Sequence, residues 1–425
     1  MGGRRGCVHV SGTMKTHPWY PFVLSAILAS GSGCDDGSNA GKSNDTDASV
    51  GPTTTRIFVT DGTTSGQSGK VHVFDAETLE PQGSIDVGSG ASEIYATPDG
   101  MLLWVLSSTD NSVSLIDTGS LAVTRRAVGV KPVHSYISPA HDQIWVGNDG
   151  SADVSVIDLA SREVLSTVLT GAGHHKMALA AADDGSLAFV YVSNITDGTI
   201  TPVTSARSSL PNVPGVGIAP HGMDYDAETT HVLNCSGDLD LATTGSQPGV
   251  EVIATRDDPS TPANEQHTVV DRIPLAPGRC GYLHVHDGYA NMTLWSANLF
   301  ARMRTTTRNV ETYDAGPSPD KFAVVGETVF VANARAPIVT VVDLTRTEAN
   351  TTVATGHPVD PANVPTSGHR SILAHGGRVY VPNAFDGTVT VIDATTRAVV
   401  GTLSGMTTPV NVAIAGPGVG TTYPR

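Results

Sequence analysis

Residues 386–405, DGTVTVIDATTRAVVGTLSG, decide the fold of this chain. Thr388, Thr390 and Ile392 alternate with two valines, and a period of two residues is typical of an extended strand. Residues 393–396 are Asp-Ala-Thr-Thr, and because Asp and Thr side chains can bond to nearby backbone they favour a turn. The run 398–403, AVVGTL, predicts the next strand. The stretch therefore predicts a strand, a turn and a strand.

The same unit recurs along the chain. Its turn half returns in segments that begin at Val73, Leu115, Val156 and Val341. Its first strand, RVYVPN at 378–383, returns as IWVGN at 144–148, VYVSN at 190–194 and VFVAN at 329–333. The copies lie about 40 to 50 residues apart, which is the spacing of a propeller blade built from four short strands.

These repeats resemble the YVTN family of β-propeller repeat proteins, from about residue 55 to residue 416. The resemblance implies a propeller fold. It implies little about activity, because propellers host many functions.

Eight outer strand pairs and eight candidate inner strands can be counted. The outer pairs begin near Ile57, Leu103, Ile144, Phe189, His231, Thr293, Val329 and Val379. The inner strands lie near Ile94, Ser135, Met177, Met223, Leu283, Phe322, Ile372 and Val412. The first outer pair has no inner strand before it, and the last inner strand has no outer pair after it. We therefore expect strands from both chain ends to complete one blade, which removes the open sheet edges.

The predicted fold class is all-β: a single closed propeller of eight four-stranded antiparallel blades over residues 55–416, followed by a tail, 417–425. The sixth blade has a degenerate sequence, so a ring of seven blades is the alternative.

The chain carries 41 acidic and 25 basic residues, for a net charge of −16. A protein this acidic is a poor candidate for binding nucleic acid or an anionic membrane surface. Separately, we expect the protein to be a monomer.

The N-terminal region predicts export. Lys15 follows Met14, and an apolar run over 19–29 comes next; it is too short to span a bilayer. We interpret residues 1–33 as a signal peptide, with Met14 as an alternative start. The run Gly-Ser-Gly before Cys34 resembles a bacterial lipoprotein cleavage site, which implies that Cys34 carries lipid. Gly31 stands where Leu is usual, so cleavage without a lipid is the alternative.

Residues 34–54 contain almost no apolar side chain. They cannot bury enough surface to fold, so we expect a flexible tether. A tether after a lipidated cysteine indicates a membrane-anchored lipoprotein in the periplasm or at the bacterial cell surface, held to the membrane by lipid alone.

Histidines accumulate at one region of the repeat, just before or within the predicted inner strands. They are His134, His174, His175, His221, His284 and His369. Because inner strands line the central channel, these residues could form a ring, and neutral imidazoles are ligands for copper, zinc or iron. Asp224 and Asp287 are candidates to fix the imidazole tautomers.

Short runs, PHG at 220–222, LHVHDG at 283–288 and HH at 174–175, resemble the His motifs of the nitrous-oxide reductase propeller. That resemblance implies a copper–sulfide cluster in a ring of histidines. Two departures matter: residues 318–321, SPDK, supply no His in their blade, and the cysteine pair of that family's cupredoxin domain does not follow the propeller. Nitrous-oxide reduction is therefore not supported. The resemblance still implies a copper site of another kind, such as a mononuclear one.

The alternative is that His is one polar choice where strands enter a wet channel, since Glu93, Asp320 and Asn411 occupy corresponding places. Three functions stay open: a module that binds a protein or small ligand on its face, a metalloprotein that includes a copper redox enzyme, and a purely structural surface protein. The sequence contains no CxxCH, P-loop, HExxH or GxSxG motif, so it does not decide whether the protein is an enzyme.

Cys235 and Cys280 flank one predicted blade. In an oxidising compartment a disulfide is the first expectation. Two alternatives stay open: Cys280 as a metal ligand beside His284, and two free thiols.

Overall fold

The structure is a computed structural model that describes residues 54–62, 68–237, 248–256, 264–275, 278, 280–363, 370–417 and 419. It is built almost entirely from β-strands, with one short 3-10 turn at Trp295–Ala297. The predicted signal peptide, Cys34, nearly all of the tether, His369 and most of the tail lie outside these residues. No helix in the described part of the chain is long and apolar enough to cross a membrane.

The strands form eight antiparallel sheets, and each sheet is one blade. Counted from the channel outward, blade 1 contains β31 (Pro409–Ala415), β1 (Arg56–Asp61), β2 (Gly69–Asp75) and β3 (Pro81–Val87). Blade 2 contains β4 (Ala91–Ala96), β5 (Leu102–Ser107), β6 (Ser112–Asp117) and β7 (Val123–Ala127). Blade 3 contains β8 (Pro132–Ile137), β9 (Gln143–Asn148), β10 (Asp153–Asp158) and β11 (Val164–Leu169). Blade 4 contains β12 (Met177–Ala181), β13 (Leu187–Asn194) and β14 (Thr199–Thr204).

The second half of the ring follows the same order. Blade 5 contains β15 (Met223–Asp226), β16 (His231–Ser236), β17 (Gly249–Ala254) and β18 (Val269–Pro274). Blade 6 contains β19 (Cys280–His286), β20 (Tyr289–Leu294), β21 (Leu299–Arg304) and β22 (Val310–Asp314). Blade 7 contains β23 (Pro319–Val325), β24 (Thr328–Asn333), β25 (Ile338–Asp343) and β26 (Thr351–Ala354). Blade 8 contains β27 (Leu373–His375), β28 (Arg378–Asn383), β29 (Thr388–Asp393) and β30 (Val399–Leu403).

The ring closes as the sequence predicts. The inner strands contact one another in the circular order β31, β4, β8, β12, β15, β19, β23, β27 and again β31. Closure depends on the antiparallel pairing of β31 with β1, in which Ala413 lies opposite Phe58. The eight-bladed, all-β propeller is therefore confirmed, and the seven-bladed alternative is wrong because blade 6 has four paired strands.

Two details differ from the expected pattern. The second strand of blade 6 begins at Tyr289 rather than near Thr293. Its sequence YANMTL lacks the terminal asparagine that marks the end of this strand in other blades, so the repeat does not locate it. In blade 4 the outermost segment is irregular: it meets β14 through an isolated bridge between Val203 and Ser209 and through a hydrogen bond from the Leu210 amide to the Pro202 carbonyl, 2.8 Å.

The repeated asparagine closes the hairpin between the second and third strands of several blades. The Asn383 amide donates to the Thr388 and Thr390 hydroxyls at 3.0 and 2.9 Å. Asn194 makes the same pair of bonds to Thr199 and Thr201, at 3.0 and 2.9 Å. Each asparagine is buried, so these bonds satisfy a polar group that would otherwise destabilise the fold.

The repeated aspartate holds the turn between the third and fourth strands. Asp393 Oδ1 accepts the backbone N–H groups of Thr395 and Thr396 and the Thr396 hydroxyl. Asp117 does the same for residues 119 and 120. These carboxylates accept the bonds in their charged form, so the bonds lower the pKa of Asp393 and act with Arg162 to lower that of Asp117 despite its partial burial. Apolar side chains fill the space between blades, with Trp104 and Trp145 fully buried.

Candidate metal centre in the axial channel

One position of the inner strand faces the channel in each blade, and the strand register identifies it. In the second strand of each blade, counted from the channel, the third residue from the C-terminal end pairs with a buried residue of the inner strand. In blade 3 these two residues are Val146 and Ser135. The residue just before that partner, which is His134 in blade 3, occupies the channel position. The residues at this position define the channel ring, which in blades 1 to 7 contains Asn411, Glu93, His134, Lys176, Gly222, Tyr282 and Lys321. In blade 8, continuing the pairing of Leu373 with Tyr380 toward the start of the strand assigns this place to Ser371.

Contacts across the ring show that these side chains reach the axis. Lys321 in blade 7 lies 3.8 Å from Glu93 in blade 2, three blades away, measured from Nζ to Oε1. Neighbouring positions also touch, since the Ser371 hydroxyl donates to Asn411 Oδ1 at 2.9 Å. The ring thus contains polar contacts both across the channel and between neighbouring blades.

His134 and His174 form a pair of imidazoles at this ring. His134 is 9% exposed on β8, whereas His174 comes from the loop before β12. Their Nε2 atoms lie 2.7 Å apart, and the two rings meet edge to face with centroids 4.3 Å apart. Two adjacent blades thus bring two imidazole nitrogens to one point.

Both outer nitrogens of this pair are held by carboxylates. His134 Nδ1 lies 2.7 Å from Glu93 Oε1, and His174 Nδ1 lies 2.6 Å from Asp149 Oδ2. A carboxylate accepts these bonds, so each Nδ1 donates to its partner. The two Nε2 atoms then face each other at 2.7 Å, which is the arrangement that a shared cation or a shared proton would stabilise.

The electrostatics of the pair favour neutral His134. Burial lowers the pKa of His134 well below its usual value, and the charge of Lys176 is the next cause. The pKa of Asp149 is lowered: burial opposes this, but the hydrogen bond from the His174 ring and the nearby His175 outweigh it. Asp149 is thus held in its charged, accepting form.

Lys176 is the adjacent member of the channel ring. It is 8% exposed, and its Nζ lies 3.4 Å from His134 Nδ1. Burial and the charge of Lys321 lower the pKa of Lys176 to about 8. The channel therefore combines imidazoles, carboxylates and two amines in a partly dry volume.

His221 extends the pair toward blade 5. Its ring stacks on His174 with centroids 5.4 Å apart and planes 13° apart, and its other side meets Trp295 at 5.9 Å. The Trp295 indole lies so close to Gly281 that any side chain there would collide with it, since an added Cβ would be 1.9 Å from Nε1. His221 therefore borders the pair.

His175 and His284 have other roles. His175 is fully buried, and its Nε2 donates to the Gly171 carbonyl at 2.8 Å, so that nitrogen is not free to bind a metal. His284 is tied to Asp224, with 2.8 Å between Nδ1 and Oδ2, and contacts His286 rather than the pair. Of the two predicted tautomer-fixing carboxylates, Asp224 contacts a predicted histidine, whereas Asp287 contacts exposed His286.

The predicted histidines do not share one repeat position. His134 lies in the channel ring, but His174 lies two residues before Lys176, His221 one before Gly222, and His284 two after Tyr282. His174 and His221 lie in the loops before β12 and β15, whereas His284 lies within β19. Among the described residues, no group of three or more His, Cys, Asp or Glu side chains is arranged to hold a metal ion. The protein thus supplies a pair of nitrogens at one point rather than a full ring.

Two carboxylates of the site were missed as partners by the sequence prediction. Glu93 and Asp149 lie 41 and 25 residues from the histidines they hold. The sequence analysis places Glu93 only in the same region of the repeat as the histidines, and it does not single out Asp149. The signal that could have identified Glu93 is its acidic side chain at the ring position of blade 2, directly before the blade that carries His134.

Cys235 and Cys280 are joined by a disulfide with Cα atoms 5.8 Å apart. The bond links β16 of blade 5 to β19 of blade 6. The Cys235 carbonyl accepts the His221 amide at 2.9 Å, and the Cys235 amide donates to the Gly222 carbonyl at 2.7 Å. The disulfide thus fixes the strands next to His221, and in this structure Cys280 is not a metal ligand.

Neither a protein-family model nor a curated protein sequence matches the chain. Solved structures do match. AztD from Citrobacter koseri aligns with a TM-score of 0.62 at 14% identity, covering 85% of this chain and 98% of AztD. The dihydro-heme d1 dehydrogenase NirN, in complex with DHE, aligns at 0.61 and 15% identity, covering 84% of this chain and 74% of NirN. Hydrazine synthase from Kuenenia stuttgartiensis aligns at 0.52 and 17% identity, covering 72% of this chain and 96% of that one. At identities this low, the structural alignments show a shared propeller fold and nothing further. The resemblance to the YVTN family still depends on the repeat residues alone.

Proposed function

We propose that this protein is a lipid-anchored, extracytoplasmic propeller that binds one transition-metal ion, copper or zinc, between His134 and His174. The observation that carries the proposal is the pair of Nε2 atoms 2.7 Å apart, with both Nδ1 atoms held by carboxylates. Metal-bound histidines generally donate their other N–H to such a partner.

The spacing fits a shared metal. Two nitrogens at about 2.0 to 2.1 Å from one ion are separated by about 2.9 to 3.4 Å when the angle at the metal is roughly 90 to 109°. The pair would need to open by only a few tenths of an ångström to reach the lower end of that range. Imidazole ligands suit zinc and copper, and the two ligands leave positions for solvent or a second molecule.

A proton shared between the rings is the competing explanation. In either case Lys176 adds unfavourable positive charge beside His134, and Glu93 and Asp149 on the far sides of the two rings offset it. Saturable uptake of a metal distinguishes the two explanations. Binding a metal uses both lone pairs and leaves both tautomers unchanged.

Metal content tests the proposal. Protein purified without a His tag and treated with EDTA should take up about one Zn(II) or Cu(II) per chain in a calorimetric titration. His134→Ala and His174→Ala should each weaken binding by about 100-fold or more, because each removes one of two protein ligands. His286→Ala, which changes an exposed histidine, is the matched control and should bind as the wild type does. Absence of saturable binding, or equal affinity in all variants, would refute the metal site.

The anchor is proposed from the sequence, with the disulfide as support, since such bonds persist in oxidising compartments. Cys34→Ser should move the protein from the membrane fraction to the soluble fraction of a bacterial host. A wild-type protein that is already soluble, with a mature N-terminus other than Cys34, would contradict it.

A further inference from the structure

The two lysines of the channel ring lack a strong anionic partner. Lys176 is more than nine-tenths buried. The polar atom near its Nζ is His134 Nδ1, at 3.4 Å, but that nitrogen already donates its proton to Glu93 and offers no lone pair. In the part of the chain that the structure describes, no carboxylate forms an ion pair with Lys176.

Lys321 is only loosely held. Its Nζ lies 3.8 Å from Glu93 Oε1, which is longer than a hydrogen bond, and 5.8 Å from the centre of the Tyr282 ring. Its side chain is 15% exposed. Lys176 and Lys321 approach the two ends of one Glu93–His134 hydrogen bond, and the charge of Lys321 acts on Lys176 across a small volume of the channel.

Glu93 has an open acceptor at this place. Its Oε1 is used by His134, while Oε2 is buried and has no hydrogen-bond partner among the described residues. Buried polar atoms are seldom left unpaired. The volume thus offers two ammonium donors and one carboxylate acceptor, and Gly222 adds no side chain to the ring beside Lys176.

We propose that this volume binds a small oxyanion that also carries an O–H group, such as hydrogen phosphate or a hydroxycarboxylate. Lys176 and Lys321 donate to the anionic oxygens, and Glu93 Oε2 accepts the ligand's O–H. Burial of charged groups is costly unless they are paired, and this ligand pairs all three. The inference goes beyond the proposed function and does not depend on a bound metal.

Calorimetry of the EDTA-treated full chain at constant ionic strength tests it with four probes. Inorganic phosphate is compared with sulfate, and glycolate with acetate; the second member of each pair lacks the O–H or carries none at the working pH. At least one of phosphate and glycolate should bind. The one that binds should do so about tenfold or more tightly than its comparison anion, sulfate or acetate, because these leave the Glu93 oxygen unpaired or repel it. Which of the two binds tells an inorganic ligand from an organic one.

Lys176→Met and Lys321→Met should each weaken that binding by about tenfold or more through loss of a charge-assisted bond. Lys70→Met, which removes a surface ion pair with Asp86, should leave it unchanged. Glu93→Gln should abolish the preference for phosphate over sulfate. If a methionine variant does not fold, as judged by circular dichroism, Lys176→Gln and Lys321→Gln replace it.

No saturable binding of phosphate or glycolate, or unchanged affinity in both lysine variants, would overturn the anion site. Sulfate that binds as tightly as phosphate would overturn the role of Glu93. A metal titration of the same preparation is scored separately, so failure of one site is distinguishable from failure of the other.

Discussion

The outer turns repeat the same residues and bonds from blade to blade, whereas the residues of the channel ring vary. Asp393 and Asp117 hold their turns with the same bonds, and Asn383 and Asn194 close their hairpins with matching bonds. In the channel ring, by contrast, most blades contribute a different residue, from Glu93 to Ser371. Repetition at the periphery specifies the fold, whereas variation at the axis is where a ligand can be recognised.

If this comparison is correct, single features near the axis should matter more to stability than any one copy of the repeated turn. The largest effect is expected at Arg370, which lies next to the ring and is 2% exposed. Its guanidinium donates to the Ala336 and Ile338 carbonyls of blade 7 at 3.0 and 2.9 Å and to Asn383 Oδ1 of blade 8 at 2.7 Å. Arg370→Met should lower the free energy of unfolding by about 3 kcal/mol or more, because buried acceptors in two blades lose their donors.

Urea denaturation measures this change. Arg378→Met, which removes a bond to the Ala76 carbonyl from a less buried arginine, is the comparison variant and should cost less. Equal losses in the two variants would contradict the special role of the blade 7–8 junction.

The disulfide is the next feature in size. Cys235→Ser with Cys280→Ser should destabilise the protein by about 2 to 4 kcal/mol, since the bond closes a separation of 45 residues. Because the bond fixes strands beside His221, hydrogen exchange should increase in blades 5 and 6 more than in blades 2 and 3. Uniform acceleration around the ring would indicate that the blades unfold as one unit.

A smaller effect comes from half-buried histidines outside the ring. Burial lowers the pKa of His375 below its usual value, and burial together with Arg308 lowers that of His231. The unfolded chain therefore takes up protons below about pH 6.5 that the folded chain resists, and stability falls as the pH drops through that value. The urea midpoint should decrease from pH 8 to pH 5.5.

His375→Gln and His231→Gln together should make that decrease smaller, although buried His134 contributes to it as well. His286→Gln, at an exposed position, should not change it. A pH dependence that is identical in the double variant and the wild type would show that these two residues titrate alike in the folded and unfolded chains.

The smallest effect is expected for one copy of the repeated turn. Asp393→Ala removes three hydrogen bonds at an exposed turn and should lower the melting temperature only slightly. Asp117→Ala should behave alike, and neither should affect metal binding. A large loss in one of the two, measured by calorimetric melting, would break the equivalence of the copies.

The same contrast explains what the sequence could predict. The turn at Asp393 and the strand ending at Asn383 recur often enough to show eight blades and their closure. His134 and His174 were recognisable as candidates because inner strands converge. Their meeting was not predictable, since His174 lies in the loop before β12, whose path the repeat does not specify, and Glu93 and Asp149 come from other blades or loops. His175 shows the limit, because its position next to His174 does not reveal that its ring turns to the Gly171 carbonyl.

The most direct test of the central claim is to locate the metal. Crystals of the protein loaded with Zn(II) or Cu(II) should give an anomalous difference peak about 2.0 to 2.1 Å from the Nε2 atoms of both His134 and His174. Glu93 and Asp149 should remain bonded to the Nδ1 atoms. A peak elsewhere, or none between the two rings, would contradict the assignment of this pair as the metal centre.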